Sequence, residues 1–306
     1  MMQRTICWWS TGAASAVMCQ LVLRDNPFAI IARCETNNED PDNYRFEADV
    51  MRRLNCSVTV LRSEEYASVW DVWQKRRFMS GPKGAPCTTK MKVAPRLAFQ
   101  RPTDIHIFGY TADKEDVKRF KRFKENFFEL TVRAPLIDAG ITKAASLAMV
   151  ERMGITLPRT YAMGFHNANC MQTGCVKATS PDYWSLYRHH FPEQFARTAA
   201  YSREIGCRLT RIKNKRIFID EIPADWPMTN PIVPACDFLC ATAEQEMETK
   251  PMTDAAKVEA MRAALEQCED YFDNRSDVKD GDYGVPEPNT EMRLLSEIRE
   301  ALAASR

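Results

Sequence analysis

The chain has 306 residues, 45% of them hydrophobic and 27% charged, with a formal net charge of +1. That is enough for one large or two ordinary domains with an ample core, and the near-neutral balance excludes recognition driven by overall charge, so any nucleic-acid surface must be local. No run approaches the roughly 18 apolar residues that span a bilayer, and the first residues lack the zones of a signal peptide, so a cytoplasmic protein without a membrane partner is expected.

In chain order, "RTICWWS" reads as a strand and residues 13–24 as a helix with apolar positions every three or four residues. "FAIIARC" is a second strand, followed by a polar turn "ETNNEDPDN" and a helix from about residue 44 to 54. "SVTVLRS", "DIHIFGY" and "FELTVRAPL" are the third, fourth and fifth strands. Strands separated by helical segments predict an α/β fold, a parallel five-stranded sheet with helices on both faces. Ligands of such sheets bind beyond the carboxyl ends of the strands. Residues 10–15, the turn after Cys34 and residues 109–119 all fall at that edge.

The second half is mostly helical and contains cysteines. "ITKAASLAMVERMGI" predicts a helix, and the loop "GFHNANCMQTGCVKATSP" follows it. Two more helices are expected over residues 183–190 and 192–205, then a hairpin-like "CRLTRIKNKRIFID" and a helical tail from about residue 253. A boundary near residue 165 divides the chain into 1–165 and 166–306.

The stretch "STGAASA" closes the first strand with small residues and opens a helix. Such a turn offers backbone N–H groups and the positive end of a helix dipole to an anion. Ser10, Thr11 and Ser15 add hydroxyls, and Gly12 permits close approach of the backbone. Plain helix packing explains the same residues equally well.

Eleven cysteines are many for a reducing compartment, where clustered thiols point to metal or sulfur chemistry rather than disulfides. Cys7, Cys19, Cys34 and Cys56 sit in apolar strand or helix patterns and read as core fillers, as do Cys207 and Cys268. Cys170 and Cys175 are spaced Cys-x4-Cys, and Cys236 and Cys240 Cys-x3-Cys. Two close pairs suit a four-thiolate site for zinc or an iron–sulfur cluster, or are reduced thiols in tight loops. Cys87 opens a helix whose dipole favours thiolate. It is a sulfur-carrying nucleophile, a cluster ligand or an ordinary first-turn residue. "KEDVKRFKRFK", residues 114–124, combines cations with two phenylalanines. It fits tRNA, DNA or nucleotide phosphates, or a helix with a solvated charged face.

Five stretches, in order, resemble the PP-loop superfamily, which includes ATP pyrophosphatases and phosphoadenosine-phosphosulfate (PAPS) reductases. Ser10, Gly12 and Ser15 match its Ser-x-Gly-x-x-Ser. "CETNNEDPDNYRFEADVMRRLN" is similar to the segment that contacts adenosine, which implies roles for Cys34 and Thr36. "APCTTKMKVAP" resembles Cys-Thr-x-x-Leu-Lys-x-x-Pro at Cys87, Thr88, Lys92 and Pro95, with Met91 in place of leucine. "FGYTADKEDVKRF" matches the stretch that places Gly109, Glu115 and Arg119. "RAPLID" with the following helix and tyrosine parallels the family's ending. "NCMQTGCVKATSPDYWSLYRHHFPEQF" resembles a PAPS reductase-like branch common in phage and bacterial genomes.

The resemblance implies an adenine nucleotide (PAPS, APS or ATP) held by the first loop with Lys92 and Arg119, sulfur activation or transfer at Cys87, and a [4Fe-4S] cluster on Cys170, Cys175, Cys236 and Cys240. Zinc is the alternative metal, and a redox or sulfur-donor protein is a possible partner. Two departures qualify this. The ATP-splitting branch reads Ser-Gly-Gly-x-Asp-Ser, but here Thr11 replaces a glycine and Ala14 the magnesium-holding aspartate, which weighs against magnesium-assisted ATP cleavage. PAPS reductases carry a C-terminal Glu-Cys-Gly-x-His, whereas the sequence ends "SEIREALAASR", so a plain copy of that enzyme is not expected. The rivals are an ATP-dependent enzyme thiolating tRNA or DNA, and a non-catalytic nucleotide- or nucleic-acid-binding module.

Overall fold

Short β-branched and aromatic runs form the sheet: β1 (Thr5–Trp8), β2 (Ile30–Cys34), β3 (Val58–Leu61), β4 (Ile105–Phe108) and β5 (Thr131–Arg133). They are all parallel, in the order β3-β2-β1-β4-β5. The α/β fold expected from the sequence is therefore the observed one. A computed structural model describes residues 3–81, 84–168 and 170–228, with the backbone of 278–280 and 286–288. The chain divides into two units, Met1–Met247 and Glu248–Arg306. In the second unit the described backbone is an antiparallel pair, Val278–Asp280 with Pro286–Pro288.

The strand order reverses at β1, so its carboxyl end and that of β4 border a topological switch point. Arg4 fixes the opposite end by gripping Asp104 through Nε (2.9 Å) and a second nitrogen (2.6 Å). Helix α1 (Ala13–Asp25) buries Ala13, Ala14, Ser15 and Ala16, small side chains that let it lie close to the sheet. It shares the main core with α2 (Pro41–Leu54) and with two later helices, α7 (Pro135–Asp138) and α8 (Lys143–Arg152). Asp40 caps α2 by accepting the Asp42 N–H at 2.9 Å, and Pro41 occupies the first turn. That cap starts the helix three residues before the expected Tyr44.

Helix α3 (Val69–Arg76), capped by Ser68, was not expected from the sequence. A continuous helical stretch follows: α4 (Pro86–Thr88), a π-turn over Thr89–Val93, and α5 (Ala94–Phe99). Phe99 of α5 covers the second face of the sheet over Ile6, Trp8 and Ala32. Helix α6 (Lys114–Asn126) buries no residue and rests Phe123 on Phe108, ring centroids 4.7 Å apart.

After β5 come α7 (Pro135–Asp138), α8 (Lys143–Arg152), α9 (Arg159–Ala162), α10 (Pro181–His190) and α11 (Pro192–Glu204). The hairpin is β6 (Thr210–Ile212) with β7 (Lys215–Ile217). A second, aromatic core joins Val69 and Trp73 of α3 to Phe165, Trp184, Tyr187 and Phe195. Among the described residues no helix is long and apolar enough to cross a membrane.

Candidate functional site

The loop after β1 is shaped largely by Ser15. Its Oγ accepts the N–H groups of Ser10 and Gly12, both at 3.3 Å, and donates to the Gly12 carbonyl at 2.8 Å. Tyr161, which ends the last of the five resembling stretches, accepts the Ala13 N–H at 3.2 Å. Gly109 lets the end of β4 meet this loop, because a Cβ there would lie 3.2 Å from the Ser15 backbone. Thr11 is buried at φ +58°, a left-handed conformation rare for a β-branched residue.

The turn after β2 carries charges that the sequence reading passed over. Glu35 accepts Arg33 at 2.8 Å, the Tyr44 hydroxyl at 2.9 Å and the N–H groups of Thr36 and Asn37. Burial opposes its charge, but these donors outweigh burial and hold its carboxyl below the usual range. Glu39 is buried and accepts from Thr36 and Asn43, each at 3.3 Å. Burial pushes its carboxyl up, against the pull of Lys92. Asn43, fully buried, donates to Glu39, to the Ala168 carbonyl at 2.6 Å and, at 3.4 Å, to Thr11 Oγ1. Its Oδ1 has no partner among the described residues. A single amide thus joins the β1 loop, the β2 turn and the cysteine loop.

Cys170 and Cys175 are in contact. Cys170 donates its S–H to Cys175, which raises Cys170 well above the usual thiol value and lowers Cys175 to about 6. Lys92, on the π-turn, stands beside both thiols, Glu39 and Cys87. Burial disfavours its ammonium, but these neighbours outweigh burial and keep it charged. π-turns inside helices recur at functional sites, and this one carries a cation to the thiols. Cys87 is pushed up by burial, so of the three thiols only Cys175 is held as thiolate. Cys34 donates to the Lys92 carbonyl at 3.3 Å, and burial raises it to about 11.

The residues named from the sequence therefore divide into two places. Ser10, Thr11, Gly12, Ser15 and Gly109 form one corner; Thr36, Lys92 and Cys170 stand beside Glu39, with Cys87 and Cys175 near Lys92 and Cys34 bonded to its carbonyl. Arg119 and Glu115 lie apart on exposed α6, paired with Asp116 at 2.7 Å and Lys118 at 2.8 Å. Cys236 and Cys240 lie outside the described residues. Among the described residues no group of three or more Cys, His, Asp or Glu is disposed to hold a metal ion. Two touching thiols with a third beside an ammonium do not make up a four-thiolate set. Asn43, Glu39 and Glu35 were missed, and the only sequence signal for them was the density of polar residues in "ETNNEDPDN".

No family profile and no curated protein matches this chain. Among solved structures it is similar to a phosphoadenylyl-sulfate (PAPS) reductase from Candida auris in a phosphate complex. The identity is 11% and the TM-score 0.41, over 54% of this chain and 80% of that one.

Proposed function

We propose that the chain is an adenine-nucleotide-binding enzyme of the PAPS reductase-like type, acting in sulfur activation, reduction or transfer. The observation that carries this reading is the hydrogen-bonded path from Thr11 through Asn43 to Glu39, beside which Lys92 and the thiols stand. An anion-binding loop and a reactive thiol are thereby parts of one site. Ser10, Thr11, Gly12 and Ser15 hold a phosphate or sulfate at the start of α1. Cys34 and Thr36 border the adenosine, and Gly109 keeps the switch point narrow. Arg119 and Glu115, paired on exposed α6, would have to leave Asp116 and Lys118 to reach the anion.

With a sulfated nucleotide the Cys175 thiolate attacks sulfur. An S–S bond forms, the S–O bond to the nucleotide breaks, and the phosphate leaves with the electron pair. Lys92 balances the negative charge, and Cys87 is a second thiol beside Cys175. Residues 1–165 supply the nucleotide part and 166–306 the cysteine part, in keeping with the phage and bacterial branch. If Cys170, Cys175, Cys236 and Cys240 instead hold a [4Fe-4S] cluster or zinc, Cys87 is the attacking thiol; magnesium joins if the nucleotide is ATP.

The test is equilibrium binding of PAPS, APS and ATP to anaerobically purified protein, with product analysis and iron, sulfide and zinc determination. Binding of a sulfated nucleotide with release of the desulfated one is expected. Asn43→Ala should weaken it at least tenfold, since it takes one donor from Glu39 and the side-chain donor from the Ala168 carbonyl. Pyrophosphate release from ATP stimulated by tRNA or DNA would favour the thiolating rival. Tight binding without turnover would favour a non-catalytic module, and a colourless, metal-free protein would remove the metal.

A further inference from the structure

Among the described residues, a dense unpaired charge lies on the β6–β7 hairpin, away from Cys170 and Cys175. Between residues 207 and 219 the chain carries Arg208, Arg211, Lys213, Lys215 and Arg216 and no carboxylate. All five are exposed, and none makes an ion pair among the described residues. The register sets Arg211 directly opposite Arg216. Like charges opposed in an antiparallel pair destabilise it, so the hairpin keeps an unfavourable pairing that no internal acid relieves. Its two-residue turn, Lys213 and Asn214 at φ +44° and +66°, holds the cations on a tight scaffold. Thr210 Oγ1 and the Arg211 N–H anchor it to the Thr179 carbonyl at 2.9 and 3.2 Å.

Beside the hairpin is an open depression of roughly 360 Å³ lined by Arg77, Phe78, Cys207, Arg208 and Arg216. A second, of roughly 550 Å³, shares Arg77 and adds Trp70, Arg197 and Tyr201, with Glu204 its single carboxylate. Glu204 is already paired with Arg77 at 3.2 Å. Phe78 is 44% exposed, and the Arg197 guanidinium lies 4.0 Å above the Trp70 ring. The two depressions share Arg77 and together carry four arginines, with the Phe78 ring open to solvent and Trp70 lining the second beneath Arg197. Helix α6 differs: its cations are interleaved with Glu115, Asp116 and Glu125, and two of them are paired within the helix.

We propose that the hairpin and these two depressions bind single-stranded nucleic acid, phosphates lying along Arg77, Arg197, Arg208 and Arg216 and bases stacking on Phe78 and packing beside Trp70. A regularly charged polyanion whose every unit has a flat face meets both features at once. An acidic peptide would supply the charge without the faces. The inference stands whether or not the nucleotide site performs sulfur chemistry.

The test is fluorescence anisotropy of the full chain with a labelled oligothymidylate of about 20 nucleotides, a length ample for one such groove. With about four phosphates neutralised, affinity should fall on the order of fiftyfold between about 50 and 200 mM salt. Tryptophan emission should be quenched on binding, and Trp70→Phe should remove most of that quenching. Arg208→Gln combined with Arg216→Gln should weaken binding at least tenfold and flatten the salt dependence. Lys121→Gln combined with Arg122→Gln on α6 should change it less than threefold. Circular dichroism and the thermal midpoint establish that each variant is folded, and Lys213→Gln at the hairpin tip serves if the double variant is not. No binding at the lower salt, an unchanged affinity in the hairpin variants, or equal competition by polyglutamate at matched charge would overturn the proposal.

Discussion

The two loops that meet at Asn43 are built in opposite ways. The β1 loop is mostly local: one hydroxyl, Ser15, satisfies groups within five residues of itself, with Tyr161 and Asn43 adding one distant bond each. The cysteine loop is held from afar. Asn38 donates to Thr173 Oγ1 at 2.8 Å, Tyr187 to the Met171 carbonyl at 2.9 Å and Thr198 to the Thr173 carbonyl at 2.9 Å, while Tyr183 accepts the Cys175 N–H at 2.8 Å. A phosphate-type loop can be made by sequence neighbours because it needs only backbone N–H groups. Setting two thiols and an ammonium together needs elements from both halves of the chain.

The largest expected effect tests that dependence on distant packing. Trp184 is fully buried and donates to the Ala178 carbonyl at 2.8 Å. It fills the space beside Gly174, where a Cβ would stand 2.5 Å from the indole. Trp184→Ala should cost about 3–5 kcal/mol in urea unfolding and open the cysteine loop to thiol reagents. Ser15→Ala, in the local loop, should cost about 1 kcal/mol. Equal losses would break the contrast between the two loops.

The same contrast governs what the sequence made legible. The sheet and its edge followed from alternating apolar runs, and residues 10–15 and Gly109 followed from a pattern contained in a few neighbours. Cys170 and Cys175 were recognisable as a pair by spacing, but which sulfur carries charge depends on who donates to whom and on Lys92, brought in by a π-turn that no local pattern announces. Glu39 and Asn43 lay in what read as a polar turn, and their burial comes from the 166–178 loop folding over them. Helix α3 was missed because Val69 and Trp73 face the aromatic core formed mainly by the second half.

A second, smaller effect examines the thiol pair itself. Cys175 is lowered, so its thiolate is present above about pH 6 and is lost as pH falls through that value. In reduced, chelator-treated protein, the rate of Cys175 alkylation against pH should have its midpoint near 6. Cys170→Ala removes the S–H donor, and the midpoint should climb toward the usual thiol value of about 8.5. A midpoint that stays near its original value would assign the thiolate to Lys92 and the backbone rather than to Cys170.

The smallest effect concerns Thr11, the residue of the β1 loop that takes a left-handed backbone without being glycine. At φ +58° a β-branched residue sits where left-handed backbone costs about 1–2 kcal/mol. Thr11→Gly removes that strain but adds chain entropy worth roughly 0.5–1 kcal/mol to the unfolded state. It also gives up the hydroxyl bond to the Ser10 carbonyl (2.7 Å) and the contact with Asn43. Stability should therefore stay within about 1 kcal/mol of the parent. Thr11→Val keeps the strain and loses both partners, so it should cost about 1–2 kcal/mol. Chemical denaturation of the two variants side by side separates strain from hydrogen bonding. A valine variant as stable as the parent would mean that the hydroxyl's bonds to the Ser10 carbonyl and Asn43 contribute nothing, and a glycine variant less stable than the valine one would mean that chain entropy outweighs the relieved strain.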